Sequence, residues 1–254
     1  MSTIMDSKAI ATFELYSDRY ARFRPVYPDG LYQWLLTQTR GAQKAWDCAT
    51  GTGQAAVQLA RHFDRVEASD INASQLMMAE LRANLHYLTC PAEHPPYLDN
   101  SFDLITVAQA LHWFDREEFW PQAARVLRPG GVFAAWGYDW FYATAEINDA
   151  MRFYSAVIEP FWSSSTQLLW DGYRDCGMPF APIAAPSFEI VMDWNLEQLL
   201  GFIQTWSAHK MCVQSLGQHV LDDARKRLAK AWGEPTILHR ITLPLHLVVG
   251  RKPD

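Results

Sequence analysis

Along the first half of the chain, apolar positions switch between the two-residue period of strands and the 3.6-residue period of helices. Lys44 to Cys48 is a short apolar stretch that ends in the glycine turn Ala49-Thr50-Gly51-Thr52-Gly53. Residues 54–62 (QAAVQLARH) then set Val57, Leu59 and Ala60 at helical spacing among polar residues. Arg65 to Ser69 predicts a second strand, closed by Asp70. A helix is predicted from Asn72 or Ala73 through Leu81, with Asn72 as N-cap, because its side-chain oxygen can accept from first-turn amides. Leu85 to Thr89 predicts a third strand, and Phe102 to Val107 a fourth after the turn-like Asp99-Asn100-Ser101. Residues 116–127 (REEFWPQAARVL) predict an amphipathic helix with acidic residues in its first turn, where the helix dipole favours them. Pro121 within it predicts a late start or a kink. Arg128-Pro129-Gly130-Gly131 predicts its stop, and Val132 to Trp136 a fifth strand. Repeated strand–helix units imply an α/β fold, a mostly parallel sheet with helices on both faces.

The second half is less regular. Helices are predicted at 145–158, 195–209 and 218–231, and strands at Ser187–Met192 and Arg240–Val249. Pro244 suits an edge or a bulge. Residues 160–186 hold four prolines and no clear period, which predicts an excursion over the sheet. Tyr16 to Tyr32, rich in aromatic residues and arginine, precedes the first strand and is expected to be a lid or flank. A single domain is expected: 1–40 as flank, 41–140 as the cofactor-binding core, 141–186 as an insertion covering the substrate pocket, and 187–254 as C-terminal strands and helices.

Composition narrows the function classes. Of 254 residues, 49% are hydrophobic and 20% charged, which supports a packed core. A net charge of −6 weighs against a nucleic-acid partner, since phosphate neutralisation calls for a basic stripe. The basic run at 225–230 (RKRLAK) reads as a solvated helix face. No stretch approaches the ~18 apolar residues of a membrane span. The opening residues show no basic segment followed by an apolar one, so no secretory signal is expected. Four dispersed cysteines form no CxxC pair, fit neither zinc nor disulfides, and suit a reducing cytoplasm. The 11 Trp suit both a core and pockets for flat or cationic ligands.

Gly51-Thr52-Gly53-Gln54-Ala55-Ala56 formally fits the G-x-G-x-x-A fingerprint of dinucleotide sites, a weak signal alone. Asp70, 19 residues after Gly51, is placed to take two ribose hydroxyls. Nicotinamide cofactors and S-adenosylmethionine share that ribose, and charge separates them. A pyrophosphate wants backbone N–H groups without a nearby anion. Here Asp47 precedes Gly51 by four residues, and no Lys or Arg occurs from 45 to 60. A carboxylate there repels phosphates and attracts an ammonium and a sulfonium, with a Coulomb energy of about 4 kcal/mol at ~4 Å and an effective dielectric of ~20, before desolvation. Asp47 can equally order its own turn by accepting from backbone amides.

Four ordered segments resemble the class I S-adenosylmethionine-dependent methyltransferases. Asp47-Cys48-Ala49-Thr50-Gly51-Thr52-Gly53 resembles the family's D-x-G-x-G-x-G loop, and Asp70 stands at its ribose-acid position. Pro91-Ala92-Glu93 with Asp99-Asn100-Ser101-Phe102-Asp103, and Leu127-Arg128-Pro129-Gly130-Gly131, resemble two further family stretches. Residues 20–28, 108–114 and 199–210 resemble the small-molecule branch with trans-aconitate methyltransferase-like proteins. The resemblance implies a Rossmann-like seven-stranded sheet with its last strand antiparallel, to which Ser187–Met192 and Arg240–Val249 would contribute as a hairpin. Two departures stand out. Ala49 replaces a glycine, which implies a backbone that avoids positive φ there, and Pro91 offers no acceptor to adenine.

What the resemblance implies for the site is specific. Ala49, Thr50 and Gly51 would hold the methionine part, Asp70 the ribose, and Ile71, Ala92 and Glu93 the adenine. Gln109 would face the sulfonium, with Asp47 behind the loop. Tyr20 and Arg24 would close the pocket, Arg24 on the methionine carboxylate or on an acidic substrate. His112 is the candidate base, since imidazole titrates near neutrality, although a histidine among aromatics also suits a packed role. The expected reaction is SN2 methyl transfer to a small organic acceptor. A carboxylate acceptor is preferred because it needs no base. The alternatives are a non-catalytic S-adenosylmethionine binder and a nicotinamide-dependent oxidoreductase. Oligomeric state is not legible.

Overall fold

The computed structural model describes residues 23–254. Seven strands form the main sheet in the order β3 (Leu85–Thr89), β2 (Arg65–Asp70), β1 (Lys44–Cys48), β4 (Phe102–Ala108), β5 (Leu127–Gly137), β9 (His246–Arg251) and β6 (Ala181–Pro182). The pairs β1–β2, β2–β3, β1–β4 and β4–β5 are parallel, whereas β9 runs antiparallel to β5. This is the mostly parallel sheet with an antiparallel last strand that the sequence implies. Strand order reverses between β1 and β4, which opens a crevice at the carboxyl edge of the sheet.

Strand periodicity builds the two cores. On β5, Val132, Ala134 and Trp136 face one hydrophobic cluster, and Phe133 and Ala135 face the other. On β1, Ala45 faces the first, and Trp46 and Cys48 the second. Each central strand is therefore buried on both sides, as parallel sheets covered by helices require. The helix Asp29–Gln38 packs Leu31, Tyr32 and Leu35 on the first face. The helix Arg116–Val126 packs Phe119, Trp120, Ala123 and Val126 on the second. The latter starts at its predicted first residue and runs through Pro121, with Asp115 accepting from the Glu117 and Glu118 amides.

Several elements differ from expectation. The helix predicted to Leu81 spans only Ala73–Leu76, although Asn72 caps it as predicted. Met77 and Leu81 beyond it are about four-fifths exposed, so there is no buried face to sustain further turns. The helix predicted over 195–209 breaks into Leu196–Gln204 and Ser207–Leu216. At the break, the Thr205 hydroxyl donates to the Phe202 carbonyl (2.6 Å), and Trp206 is extended. Arg128-Pro129-Gly130-Gly131 does not separate helix from strand. It lies inside β5, whose register against β4 shifts between Phe102 and Leu104, with Gly130 at φ +71° absorbing the irregularity.

The C-terminal prediction needs the largest correction. Arg240–Val249 is not one strand, and it forms no hairpin with 187–192 in the main sheet. The segment divides at Leu245. β8 (His239–Pro244) pairs with β7 (Glu189–Trp194) in a separate two-stranded sheet, and β9 enters the main one. Pro244, without an N–H, ends β8, and the Leu245 amide turns to the Phe188 carbonyl (2.9 Å). The seventh strand of the main sheet is instead the short Ala181–Pro182, from the proline-rich excursion. That excursion also packs Leu169, Tyr173, Cys176 and Phe180 against the second core, with the Trp120 indole donating to the Cys176 carbonyl. Among the described residues, no helix is long and apolar enough to cross a membrane.

Candidate functional site

The glycine turn follows β1 at the carboxyl edge. Ala49, Gly51 and Gly53 all lie in the left-handed region, at φ +56°, +59° and +82°. This corrects the expectation that Ala49 avoids positive φ. The turn keeps its shape, and alanine bears the steric cost of its Cβ. Gly51 and Gly53 are also close-packed. A Cβ on Gly51 would come within 2.8 Å of Gln75 Oε1, and one on Gly53 would abut the Tyr87 phenol. The Thr50 amide donates to the Ser69 carbonyl, tying the turn to β2.

Asp47 is 1% exposed beneath this turn. Its Oδ2 accepts from the Thr50 hydroxyl (2.5 Å) and its Oδ1 from the Thr106 hydroxyl (2.7 Å), so it links the turn to both β1 and β4. Burial pushes its pKa up to about 6 against the pull of the two hydroxyls, and the Asp70 charge adds to the rise. Asp70 ends β2. Its Oδ2 accepts from the Gly51 amide and its Oδ1 from the Asn72 amide, both at 2.8 Å. Burial raises its pKa, opposed by those amides. Ile71, beside it, is 45% exposed at the crevice edge. Ala92 is buried in the second core. Glu93 Oε1 accepts from the Asp115 amide (3.0 Å), so it pins the loop after β3 to the start of the Arg116–Val126 helix.

Beyond β4 and β5 the chain forms a cavity lined by Arg24, Gln109, His112, Tyr138, Asp139 and Trp206, among others. Gln109 adopts φ +56° and clasps the Tyr138 backbone through both ends of its amide. Arg24 Nη1 donates to the Tyr138 phenol oxygen (2.7 Å), and its guanidinium lies 5.8 Å from the Phe202 ring centre. His112, on the short turn Leu111–Trp113, is 6% exposed. Burial, reinforced by Arg116, lowers its pKa to about 3. That is far from the near-neutral titration that made it the candidate base. Tyr20 lies outside the described residues.

Three features of this site escaped the sequence. Asp139 Oδ2 pairs with His246 Nε2 at 3.1 Å, which raises the histidine pKa and lowers that of the carboxyl. Lys210 is 5% exposed, and burial with Arg24 nearby lowers its pKa to about 8. Thr166 reaches the cavity from the excursion. Asp139 was within reach, because it follows the fifth strand at the carboxyl edge. Thr166 and His246 carry no local signal.

Comparison with known proteins follows this geometry closely. The family Methyltransf_11, described as a methyltransferase domain, matches residues 46–135, from β1 through most of β5. A Dictyostelium discoideum protein described as a methyltransferase is 26% identical over 249 residues, with 94% of each chain covered. A Mycobacterium tuberculosis protein described as an uncharacterized methyltransferase is 36% identical over 169 residues, 61% of this chain and 68% of the relative. A solved structure from Anaeromyxobacter dehalogenans, described as a type II methyltransferase, superposes with a TM-score of 0.84 at 35% identity, covering 91% of this chain and all of the other. The dinucleotide oxidoreductase alternative is thereby set aside. The ordered motifs, the reversed-order sheet with its antiparallel strand, and these matches place the chain in the methyltransferase type 11 family of the class I S-adenosylmethionine-dependent methyltransferases.

Proposed function

We propose that this methyltransferase forms a methyl ester on a small organic acid held in the cavity between Gln109, Tyr138 and Trp206. The observation that carries the reading is the pairing of a cation with a weak base at one wall. Arg24 brings a guanidinium to the cavity, fixed by the Tyr138 phenol, while the imidazole lining it is buried and a poor proton acceptor. Asp139 shares the wall but is matched by His246, so it does not confront an anionic acceptor alone.

Residues around the glycine turn suit the donor. The stretch 45–60 carries no Lys or Arg, and Asp47 lies just under the turn, which favours a cationic nucleoside over a pyrophosphate. Ala49, Thr50 and Gly51 would present backbone groups to the methionine part, and Asp70 would receive the ribose hydroxyls. Ile71, Ala92 and Glu93 would border the adenine, and Gln109 the sulfonium end. Bound S-adenosylmethionine supplies a methyl group on a sulfonium, an electrophile with a neutral leaving group. Arg24 orients the acceptor carboxylate so that one oxygen forms the new O–CH3 bond as the S–CH3 bond breaks, its electron pair staying on sulfur. No proton moves, and the protein's task is alignment and exclusion of water.

Transfer of labelled methyl from S-adenosylmethionine to a panel of small acids, phenols and amines tests the reading. Acid-labile methyl esters are expected. Turnover of a phenol or amine alone overturns it.

A further inference from the structure

One wall of the cavity and the layer behind it hold an unusual concentration of unmatched polar atoms. His112 Nδ1, Thr166 Oγ1 and the Tyr173 phenol oxygen are all buried, and none has a hydrogen-bond partner among the described residues. Buried polar groups in folded proteins are nearly always paired, and each orphan costs stability. Three so close together need an explanation.

The fold brings them together. The turn Leu111–Trp113 packs against the turn Ser164–Thr166 and the helix Gln167–Trp170. The His112 and Tyr173 rings lie near parallel, 25° apart, with centres 6.5 Å apart. His112 and Thr166 line the cavity itself. The Tyr173 oxygen stands 2.9 Å from where a Cβ on Gly137 would sit, and that same point faces Gln109 and Leu169, both cavity residues. That point is tightly packed, so the Tyr173 hydroxyl lies in the layer directly behind the cavity residues Gln109 and Leu169. None of the three groups carries charge near neutral pH. Burial keeps the His112 imidazole and the Tyr173 phenol in their neutral forms.

We propose that His112 and Thr166, backed by Tyr173, form a neutral polar subsite that receives an uncharged hydrogen-bonding oxygen, a hydroxyl or ketone, on an acceptor whose carboxylate lies toward Arg24. This rests on the acid-methylation reading above and refines it: the acceptor is an oxygenated carboxylic acid, not a plain aliphatic one. A second carboxylate is disfavoured here, because no cation belongs to the triad. His112 then reads the acceptor as a neutral hydrogen-bonding group instead of taking its proton.

The test is calorimetry on the full chain saturated with S-adenosylhomocysteine. Probes are straight acids of four to six carbons and their counterparts bearing one hydroxyl or oxo group at successive carbons. At least one oxygenated acid is expected to bind about tenfold more tightly than its parent, the effect of one well-made hydrogen bond. Thr166→Val should reduce that ratio to within about threefold. Thr166→Val should also melt no lower than the parent protein, since it deletes an unpaired hydroxyl. Equal or tighter binding of plain acids, an unchanged ratio in Thr166→Val, or a lower melting temperature for that variant overturns the subsite alone, whereas no binding of any acid overturns the acid-methylation reading and the subsite with it. Absence of heat with S-adenosylhomocysteine itself would overturn instead the assigned cofactor pocket.

Discussion

Gln109 and Tyr138 are joined as if by an extra rung of sheet. The Gln109 side-chain amide donates to the Tyr138 carbonyl (3.0 Å), and its carbonyl accepts from the Tyr138 amide (3.1 Å). The clasp lies just past the last β4–β5 pair, Ala108 with Trp136, and holds together the two loops that build the cavity. Gln109→Ala removes both bonds and leaves two backbone groups to find other partners. A loss of about 2 kcal/mol is expected, which corresponds to a melting temperature lower by about 4–8 °C in a chain of this size. Thermal unfolding followed by circular dichroism checks it, and an unchanged melt would show that the clasp contributes nothing.

Ala49 occupies a left-handed conformation that glycine adopts without steric cost. Ala49→Gly should therefore raise stability by about 0.5–1 kcal/mol, the relief of strain partly offset by the greater freedom of the unfolded chain. Urea unfolding measures it. Destabilisation would mean that the Ala49 methyl has a packing role that outweighs its strain.

Asp47 has a folded pKa of about 6, above its unfolded value. A raised carboxyl contributes stability that is fully present below the unfolded value and is lost as pH rises through about 6. Cofactor binding has the opposite sign, because a cationic ligand favours the ionised form. Affinity for S-adenosylmethionine should climb as pH rises from 5 to 7, with a midpoint near 6. Asp47→Asn should flatten that dependence. Calorimetry across this range decides it, and a flat profile for the native protein would remove Asp47 from the ligand's field.

Asp70 supports the turn through the Gly51 and Asn72 amides, whatever it does for a ligand. Asp70→Ala should weaken S-adenosylhomocysteine binding by about 10- to 100-fold, the scale of one to two charge-assisted hydrogen bonds. Asp70→Asn keeps one acceptor and should fall between. Equal affinities for all three proteins would relocate the ribose site.

Gly137→Ala would push a methyl to 2.7 Å from Leu169 Cδ1 and 2.9 Å from the Tyr173 oxygen, as well as into Gln109. Displacing these side chains is expected to lower the melting temperature and to shrink the acceptor cavity. On the proposed reading most cofactor contacts lie at the glycine turn and Asp70 and only one at Gln109, so cofactor affinity should change less than acceptor affinity. Parallel titrations with S-adenosylhomocysteine and a substrate acid separate the two, and a larger loss for the cofactor would contradict this division of the site.

The sheet was legible where each strand is a local apolar run: β1 and β3 match their predicted limits, and β2 and β4 each run one residue past them. The arrangement around the glycine turn was legible for a related reason, since Asp47, the turn and Asp70 are fixed by short spacings around one strand–turn–helix unit. Ala49 misled because the chain accepts local strain to keep the turn's shape, which residue preference alone does not reveal. The cavity beyond β4 and β5 was mostly hidden. Residue type makes His112 a candidate base, whereas the burial that lowers its pKa to about 3 is set by tertiary packing. Thr166 and Tyr173 come from a proline-rich stretch without period, and the Asp139–His246 pair joins positions more than 100 residues apart. Such contacts depend on tertiary packing and leave no trace in spacing.

The break at Leu245 makes one continuous length of backbone serve two sheets. His246, the first residue after it, is paired with Gly137 in the main sheet and with the Asp139 carboxylate beside the cavity. The same ribbon is tied a second time to the segment that follows β5, by the Tyr142–Thr242 bridge. The ledge that carries Gly137, Tyr138 and Asp139 is thus moored to the ribbon at both ends, by His246 on one side and Tyr142 on the other.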